Sequence, residues 1–575
     1  MKKLSMFRTL TLLLAVSVSL LSCSDSAEDL AKKKAIGGAV YGGEFRFMSA
    51  EKVTSLFPLN ATDIYTGRLT SQVFDPILKL NTANDKVEPC IAESIKASTD
   101  GKEYTLKIRK GIFFHEDDCF DDEARELTAE DVKFTLDMAC SGLEINEISN
   151  LLVERIEGAA SFHASTQSKF NETGVSGIQV IDNNTLKIKL VEPFAGFDKL
   201  LCYSGFGVFP KEAYDTYGKD IVTHPVGTGP FRLGEITDHH IKLERNNNYW
   251  RKDEFGNQLP FLGSILMTYT TDKSSELKAF RNADIDLVLE IPVEEVDNIL
   301  GSLKEAQQGK TVKHKVDSKP SASITFVGFN HKKKALSDKR VRMAFNLAVD
   351  RDLLVNTHLM GEGYPDEHGI IPNCSFYDAS SIKGYKFNIT KAKALLADAG
   401  YPDGKGLPVL NLVYSGKKGT SRDIMAKSVA KQLQENLGVK VKVVMVDADK
   451  RDKMAANGQA DMWILQWIAD YPDGENFLSL FYNGKVKVKS NFVNPYKYNS
   501  AEFNSTFVQM NKELDPVKRM KLMWAADQML VDDAVVMPIL TDDVVTLINS
   551  RVRNFEANSL EIFDLSTIFI KELRE

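Results

Sequence analysis

Alternation of apolar and polar positions first shows at Glu44-Phe45-Arg46-Phe47. Two phenylalanines fall on one side of an extended segment and the charges on the other, which predicts a first strand within Gly37 to Ser49. Leu56-Phe57-Pro58-Leu59-Asn60 ends it in a loop, and Ile64 to Leu80 reads as a helix and then a turn. Asp100-Gly101 between the alternating runs Ser94–Ser98 and Tyr104–Arg109 predicts a hairpin. Thr128-Ala129-Glu130-Asp131 has the spacing of a capping box, with Val132, Leu136 and Ala139 continuing at helical period. Leu186, Ile188 and Leu190 share a face of a further strand, and Gly227-Thr228-Gly229-Pro230-Phe231 is a turn that enters another.

The second half changes character. Between about Lys304 and Lys319 the chain turns polar, as a crossing between two bodies would. Ser323 to Asn330 then reads as a fully buried strand, followed by a helix from Asp338 through Phe345 and Val349. Short helices at Thr390–Ala399 and from Ser421 alternate with strands. Met425, Val429 and Leu433 line one face of the second helix, Gly438 closes it, and Val439, Val441, Val443 and Met445 alternate after it. Asp515-Pro516 starts a helix through Met520 and Trp524, and Val535 to Leu540 is a strand that contains Pro538. This helix-to-strand order is α/β in type.

One stretch stands out, Met462 to Leu478. It begins as an apolar strand, carries Trp463 and Trp467 (two of the four tryptophans), and ends at Asp470-Tyr471-Pro472-Asp473. A strand that ends in aromatics and an acid can hold a ligand by its backbone, wall it with a ring and pair with a positive charge.

Composition bounds the class. A chain of 575 residues with 43% apolar and 26% charged residues is ordinary globular material too long for one domain. Its net charge of −7 shows no basic stripe, so nucleic acid is not an expected partner. Lys2, Lys3 and Arg8 precede an apolar run from Leu10 to Leu21, too short for a membrane span, which reads as a secretory signal. The run ends Leu20-Leu21-Ser22-Cys23, resembling a lipobox with Cys23 as the lipidated residue, and Ser24 to Lys34 is polar enough to serve as a tether. Beyond Cys23 lie Cys90, Cys119, Cys140, Cys202 and Cys374. Five is odd, so at least one stays free, and most are expected to be small buried hydrophobes.

Catalytic patterns are missing. No G-x-S-x-G elbow occurs, because Cys202 sits where its first glycine would be; no H-E-x-x-H occurs; and Lys304 replaces the first glycine that a phosphate loop ending at Gly309-Lys310-Thr311 would need. The acidic run from His115-Glu116 through Asp117, Asp118, Asp121, Asp122 and Glu123 lacks the order of a calcium loop and reads as a solvated loop; His239-His240 reads as an exposed turn. Asp470 and Asp473 could form an acid–base pair, but no partner nucleophile can be named. No enzyme activity, metal or cofactor is expected.

Four segments in order resemble the family 5 extracellular solute-binding proteins, which serve ABC importers of peptides, dipeptides, nickel and some sugars. They are Arg109-Lys110-Gly111-Ile112-Phe113-Phe114-His115 with Leu127 to Val132; Gly227 to Phe231; Phe329-Asn330 with Asp338 to Ala344; and Trp467 to Asp473. Two departures stand beside them: the Glu116–Glu126 segment is longer and more acidic than usual, and Gly474 stands where many members have proline. The resemblance implies an α/β, two-lobe periplasmic-binding-protein-like fold of type II, the large class with an extra subdomain inserted in lobe I. The expected division is signal peptide 1–22, lipidated tether 23–36, lobe I 37–66, inserted subdomain 67–220, lobe I again 221–315, lobe II 316–540, and a return to lobe I over 541–575. It also implies a ligand site of Asp470, Trp467, Gln466, Ile468, Tyr471, Thr62, Ile64 and Asn330. Asp470 would hold a peptide's α-ammonium, the backbone of Gln466 and Ile468 would pair with an extended peptide, and Trp467 would wall a pocket. Trp463 is expected in the core and Asp473 in the turn. The expected partners are a peptide or other small ligand, a permease with its ATPase, and a membrane reached only through the lipid anchor; the chain is expected to be a monomer on the periplasmic side of the cell envelope. An oligosaccharide or metal-chelate cargo, or an envelope hydrolase, are the alternatives.

Overall fold

The computed structural model describes residues 34–121, 124–270, 272–289, 314–361, 363–484 and 494–571. The signal segment and Cys23 lie outside them, as do Asp122, Glu123 and residues 304–313 of the expected crossing.

Along the chain, β1 (Glu44–Ser49) is followed by the small ladder β2 (Leu78–Leu80) and β3 (Val87–Pro89), then by β4 (Ala92–Ala97), β5 (Glu103–Ile108), β6 (Ile178–Asp182) and β7 (Thr185–Lys189). Strands β4 to β7 form a sheet of their own in the order β4-β5-β7-β6, opened by the Asp100-Gly101 hairpin with Ala97 opposite Tyr104. The chain then returns through β8 (Phe231–Ile236), β9 (His240–Arg245), β10 (Ser264–Tyr269) and β11 (Leu287–Leu289) to the sheet of β1. β12 (His314–Pro320) completes that sheet and β13 (Ser323–Phe329) opens the next one. The second large sheet gathers β14 (Tyr364–Pro365), β15 (Leu410–Ser415), β16 (Val441–Val446), β17 (Met462–Ile468) and β18 (Val536–Thr541) in the order β14-β18-β13-β17-β15-β16. β19 (Asp543–Asn549) goes back to the first sheet, and β20 (Val552–Arg553) pairs with β21 (Phe569–Ile570) near the end.

Two lobes follow from this order. They are joined where β12 passes into β13 and β18 passes into β19. Both crossings run side by side: Pro320 pairs with Asp543 in the first sheet, Thr325 with Leu540 in the second, and the Ser321 N–H donates to the Asp542 carbonyl between them at 3.0 Å. A two-stranded ribbon whose paired ends are separated by residues 321–324 on one strand and 541–542 on the other can bend there while each end stays held by its own sheet. Pro538 sits in β18 opposite Phe326, where the register shifts, so its missing N–H falls at an irregularity.

Local signals explain the helices. Helix α1 (Ile64–Val73) starts at Asp63, whose carboxylate accepts from the Thr66 N–H at 2.9 Å. Helix α2 (Ala129–Cys140) carries the capping box of Thr128 and Asp131. α3 (Lys339–Ala348) is capped by Asp338. In α4 (Ser421–Leu437) Thr420 holds the cap position, and Ser421, which the sequence suggests as the cap, is already helical. Gly438 closes α4 at φ 72°, a left-handed conformation that favours glycine. After the short α5 (Glu475–Leu478), α6 (Pro516–Asp532) starts at Asp515, which accepts from two backbone N–H groups.

Every residue of β13 is buried, because its sheet is covered on both faces. Trp463 is buried and stacks on Tyr496 with centroids 5.2 Å apart, as expected of a core residue. Its ring lies so close over Gly328 that a Cβ there would come within 2.6 Å of it. All five described cysteines are free, and Cys90, Cys140 and Cys202 are buried. The acidic loop is tied to its neighbours: Arg125 pairs with Asp131 at 2.8 Å and with Glu212 at 2.9 Å, while Asp117 accepts from the Tyr217 hydroxyl at 2.6 Å. Among the described residues no helix is long and apolar enough to cross a membrane.

Candidate functional site: a cleft along the open edge of a strand

β15, β16 and β17 run parallel, so their C-terminal ends reach the same margin of the sheet. That margin is where open α/β sheets bind ligands, and here it faces the other lobe across a cleft of about 1890 Å³. Pockets for drug-sized ligands run to about 1,000 Å³, so this one admits something larger. Thr62, Ile64 and Glu147 line it from the first half of the chain; Gln466, Ile468 and Asp470 line it from the second.

β17 is paired along its whole length on one side only. Against β13 the register runs from Phe329–Met462 to Ser323–Ile468. Against β15 it covers Met462 and Val413–Trp463 and then stops. From Ile464 to Ile468 the second edge has no strand partner among the described residues. Antiparallel residues alternate in the direction of their backbone bonds. The Asn330 N–H donates to the Asp461 carbonyl at 3.0 Å and the Ala469 N–H to the Ala322 carbonyl at 2.9 Å, so the odd-numbered positions of β17 are those bonded to β13. Gln466 and Ile468 therefore turn their N–H and C=O groups to the open edge. The Gln466 side chain is engaged elsewhere: its Oε1 accepts from Arg422 at 2.9 Å and its Nε2 donates to Asp542 at 3.0 Å, which ties the strand to the crossing ribbon.

Beyond Ile468 the chain turns through Asp470 to α5. Asn476 organises this turn. Its Oδ1 accepts from the Trp467 indole N–H at 2.8 Å and from the Asp470 backbone N–H at 3.2 Å, and its Nδ2 donates to Asp470 Oδ2 at 2.9 Å. Asp470 is partly exposed to the cleft and forms no ion pair among the described residues. Burial pushes its carboxyl up to about 6, the Asn476 hydrogen bond opposes that, and the nearby Glu475 adds to it. The opposite wall is also acidic. Burial first, then the charges of Asp470, Asp63 and Glu147, push the Tyr203 phenol far above its ordinary value. Lys417, Arg422 and Arg451 stand on the lobe II side, following β15 and β16.

Two expected site residues lie elsewhere. Tyr471 is 1% exposed, and its hydroxyl donates to the Glu475 carboxylate beneath the turn. Asn330 sits past the other end of β13, seven residues from Ser323 and thus more than ~20 Å away along the strand. Its Nδ2 donates to the Ala460 carbonyl at 3.2 Å. Tyr471 belongs to the segment that resembles the family's ligand strand, and Asn330 to the one that resembles its entry into the second lobe. Side-chain alternation and the strand's direction place them in the core and at the far margin instead. Asp473 is turn structure of a strong kind: it takes Arg519 bidentately at 2.7 and 2.8 Å and Lys199 at 3.1 Å. Burial raises its carboxyl, but these two cations outweigh that and hold it well below the usual carboxylate range. Asn476, Glu147 and Arg422 went unnoticed in the sequence. Only the spacing of Asn476, six residues past Asp470 at a helix start, offered any local hint.

The family described as "Bacterial extracellular solute-binding proteins, family 5 Middle" matches residues 86–488. The glutathione-binding protein GsiB of Salmonella paratyphi A is 24% identical over 509 residues, covering 87% of this chain and 90% of that protein. Among solved structures, the periplasmic binding protein DppA of Helicobacter pylori in complex with the peptide STSA superposes with a TM-score of 0.76 at 21% identity, over 92% of this chain and 99% of that one. The murein tripeptide binding protein MppA of Escherichia coli gives a TM-score of 0.77 at 20% identity, over 93% and 100%.

Proposed function

Because the chain belongs to the bacterial extracellular solute-binding proteins of family 5, we propose that it captures short peptides between its lobes and delivers them to the permease and ATPase of an ABC importer. The observation that carries the cargo is the open edge of β17: backbone donors and acceptors at Gln466 and Ile468 lead to Asp470, a carboxylate without an ion-pair partner among the described residues. Main-chain pairing ignores side-chain identity, and a carboxylate at one end sets the direction of the chain by its ammonium. Trp467 and the lobe I residues Thr62 and Ile64 supply walls. Relatives named for glutathione and a structural neighbour solved with a peptide support the same class of ligand.

In this reading lobe I comprises residues 37–66, 221–315 and 541–575, with 67–220 inserted, and lobe II is 316–540. A ligand that binds the closed form better shifts the lobes toward it, with no chemical step. Segment 1–22 directs export, Cys23 carries the lipid anchor and 23–36 is the tether, which places a monomeric binding domain on the periplasmic side of the envelope. Native mass spectrometry of the purified protein tests the cargo. Co-purified peptides, displaced by added short peptides with a free amine, are the expected result. A bound oligosaccharide or metal chelate with no peptide would overturn the assignment, and turnover of a bound compound would overturn the binding role.

A further inference from the structure

Asn476 is 2% exposed, and it is joined at once to the indole, the backbone and the carboxylate of the ligand turn. Its orientation is dictated by its partners. The Trp467 indole and the Asp470 backbone N–H are donors only, so the amide oxygen must face them, and the amide nitrogen is left facing Asp470 Oδ2. A flipped amide would set donor against donor twice. The helix that bears Asn476 is held from the other side: Glu475 accepts from Arg155 at 2.9 Å and from the Tyr471 hydroxyl, and Asp473 takes Arg519 and Lys199. The charged and titratable groups around the Asp470 carboxylate are Glu475 on its own turn, the Tyr203 hydroxyl, near which Asp63 and Glu147 also lie, and the cations Lys417, Arg422 and Arg451 that line the same cleft. Arg155 is turned to Glu475. The Tyr203 hydroxyl donates to the Ala61 carbonyl, so among the described residues the amide N–H of Asn476 is the side-chain donor that the carboxylate receives.

We propose that Asn476 is a positioning residue of the ligand site, aiming Trp467 and keeping the Asp470 carboxylate ionised and directed into the cleft, so that capture of a cationic amine fails as acidity rises. This rests on the reading of Asp470 as the ligand's charge clamp. The sign follows from the direction of the shift. Burial raises the Asp470 carboxyl to about 6, so it is charged above that pH and becomes neutral as pH falls through it. A ligand ammonium binds the charged form, so affinity is complete at neutral pH and drops about tenfold for each unit below the titration.

The test separates Asn476 from the cargo. In the ligand-free protein, the indole ¹⁵N–H signal of Trp467, assigned through Trp467→Phe, is followed against pH. It should titrate with a midpoint near 6, and Asp470→Asn should abolish the titration. Asn476→Asp keeps the acceptor for the indole but sets a second carboxyl against Asp470, and should move the midpoint up by about one unit or more, since two such carboxyls cannot both ionise. Asn476→Ser, which removes the amide donor, makes the same comparison should the aspartate fail to fold. A midpoint that stays put in the folded variant overturns the proposal. Trialanine serves as the affinity probe: the wild type should lose about tenfold between about pH 7.5 and about pH 5. If trialanine fails to bind at any pH while the indole titration shifts as stated, the peptide reading falls and the role of Asn476 stands.

Discussion

At the scale of single residues, Asp470 and Asp473 show how position decides what a carboxylate does. They stand three residues apart, yet Asp473 is saturated by two cations and Asp470 by none among the described residues. A charge that is already paired inside a protein has little left for a ligand, whereas an ionised carboxylate with one neutral donor gains from an arriving ammonium. At about 4 Å and an effective dielectric near 20 that attraction is about 4 kcal/mol before desolvation is subtracted. Asp470→Asn should therefore weaken binding of a free-amine tripeptide at least tenfold while leaving the N-acetylated form unchanged and the melting temperature close to wild type. Equal losses for both peptides in calorimetric titration would remove Asp470 from ammonium recognition. Asp470 was legible in the sequence because it ends an apolar, aromatic strand. Asn476 was not: its value lies in reaching back across a turn to two residues, Trp467 and Asp470, and that depends on how the turn closes.

At the scale of elements, β17 is a strand left half-paired. Its partner β13 comes from far earlier in the chain and holds it over its whole length, while β15 leaves after Trp463. The alternation of backbone direction then makes a clean prediction. Ile468→Pro removes an N–H that faces the open edge and spares the bonds of Leu465, Trp467 and Ala469 to β13. One net hydrogen bond contributes about 0.5–1.5 kcal/mol, so affinity for a short peptide should fall roughly two- to tenfold with the fold retained. Unchanged affinity in the folded variant would show that the ligand does not pair with this edge. The strand itself is readable from its apolar run. Which of its edges stays open is a property of the sheet, and the misplacement of Asn330 has the same origin: Phe329-Asn330 adjoins a strand that does reach the site, but at the strand's other end.

At the scale of the whole molecule, the turn after β17 is also where the stretch of chain from Arg155 to Lys199 makes contact. Arg155 donates to Glu475, Lys199 pairs with Asp473, Glu192 with Lys512 at 3.3 Å, and the Ala195 N–H donates to the Asn511 carbonyl at 3.1 Å. Hinge opening at the crossing ribbon, with the inserted segment moving with lobe I, would break these contacts together. Arg155 is the strongest test because its guanidinium also lies 4.0 Å over the Phe194 ring and its partner Glu475 is buried. Removing one member of a buried pair strands the other charge. Arg155→Gln should accordingly enlarge the radius of gyration of the ligand-free protein in X-ray scattering and weaken peptide affinity severalfold, although Arg155 does not line the cleft. Identical scattering from variant and wild type would show that this contact does not bias the lobes.

The pattern of the chain alone determined many of the strands and helices, the change to α/β character in the second half, and the strand that ends in Trp467 and Asp470. Those features are set by periods of two and 3.6 residues and by caps and turns within a few residues of one another. Tertiary structure decided the rest. It brought Thr62, Ile64 and Glu147 to face a strand more than 300 residues away, turned Tyr471 inward to Glu475, and carried Asn330 to the far margin of the sheet. It also gave Asp473 its cations and Asp470 an amide. Such outcomes depend on which strand edges meet and in what register, and no short window of sequence contains both partners of those contacts.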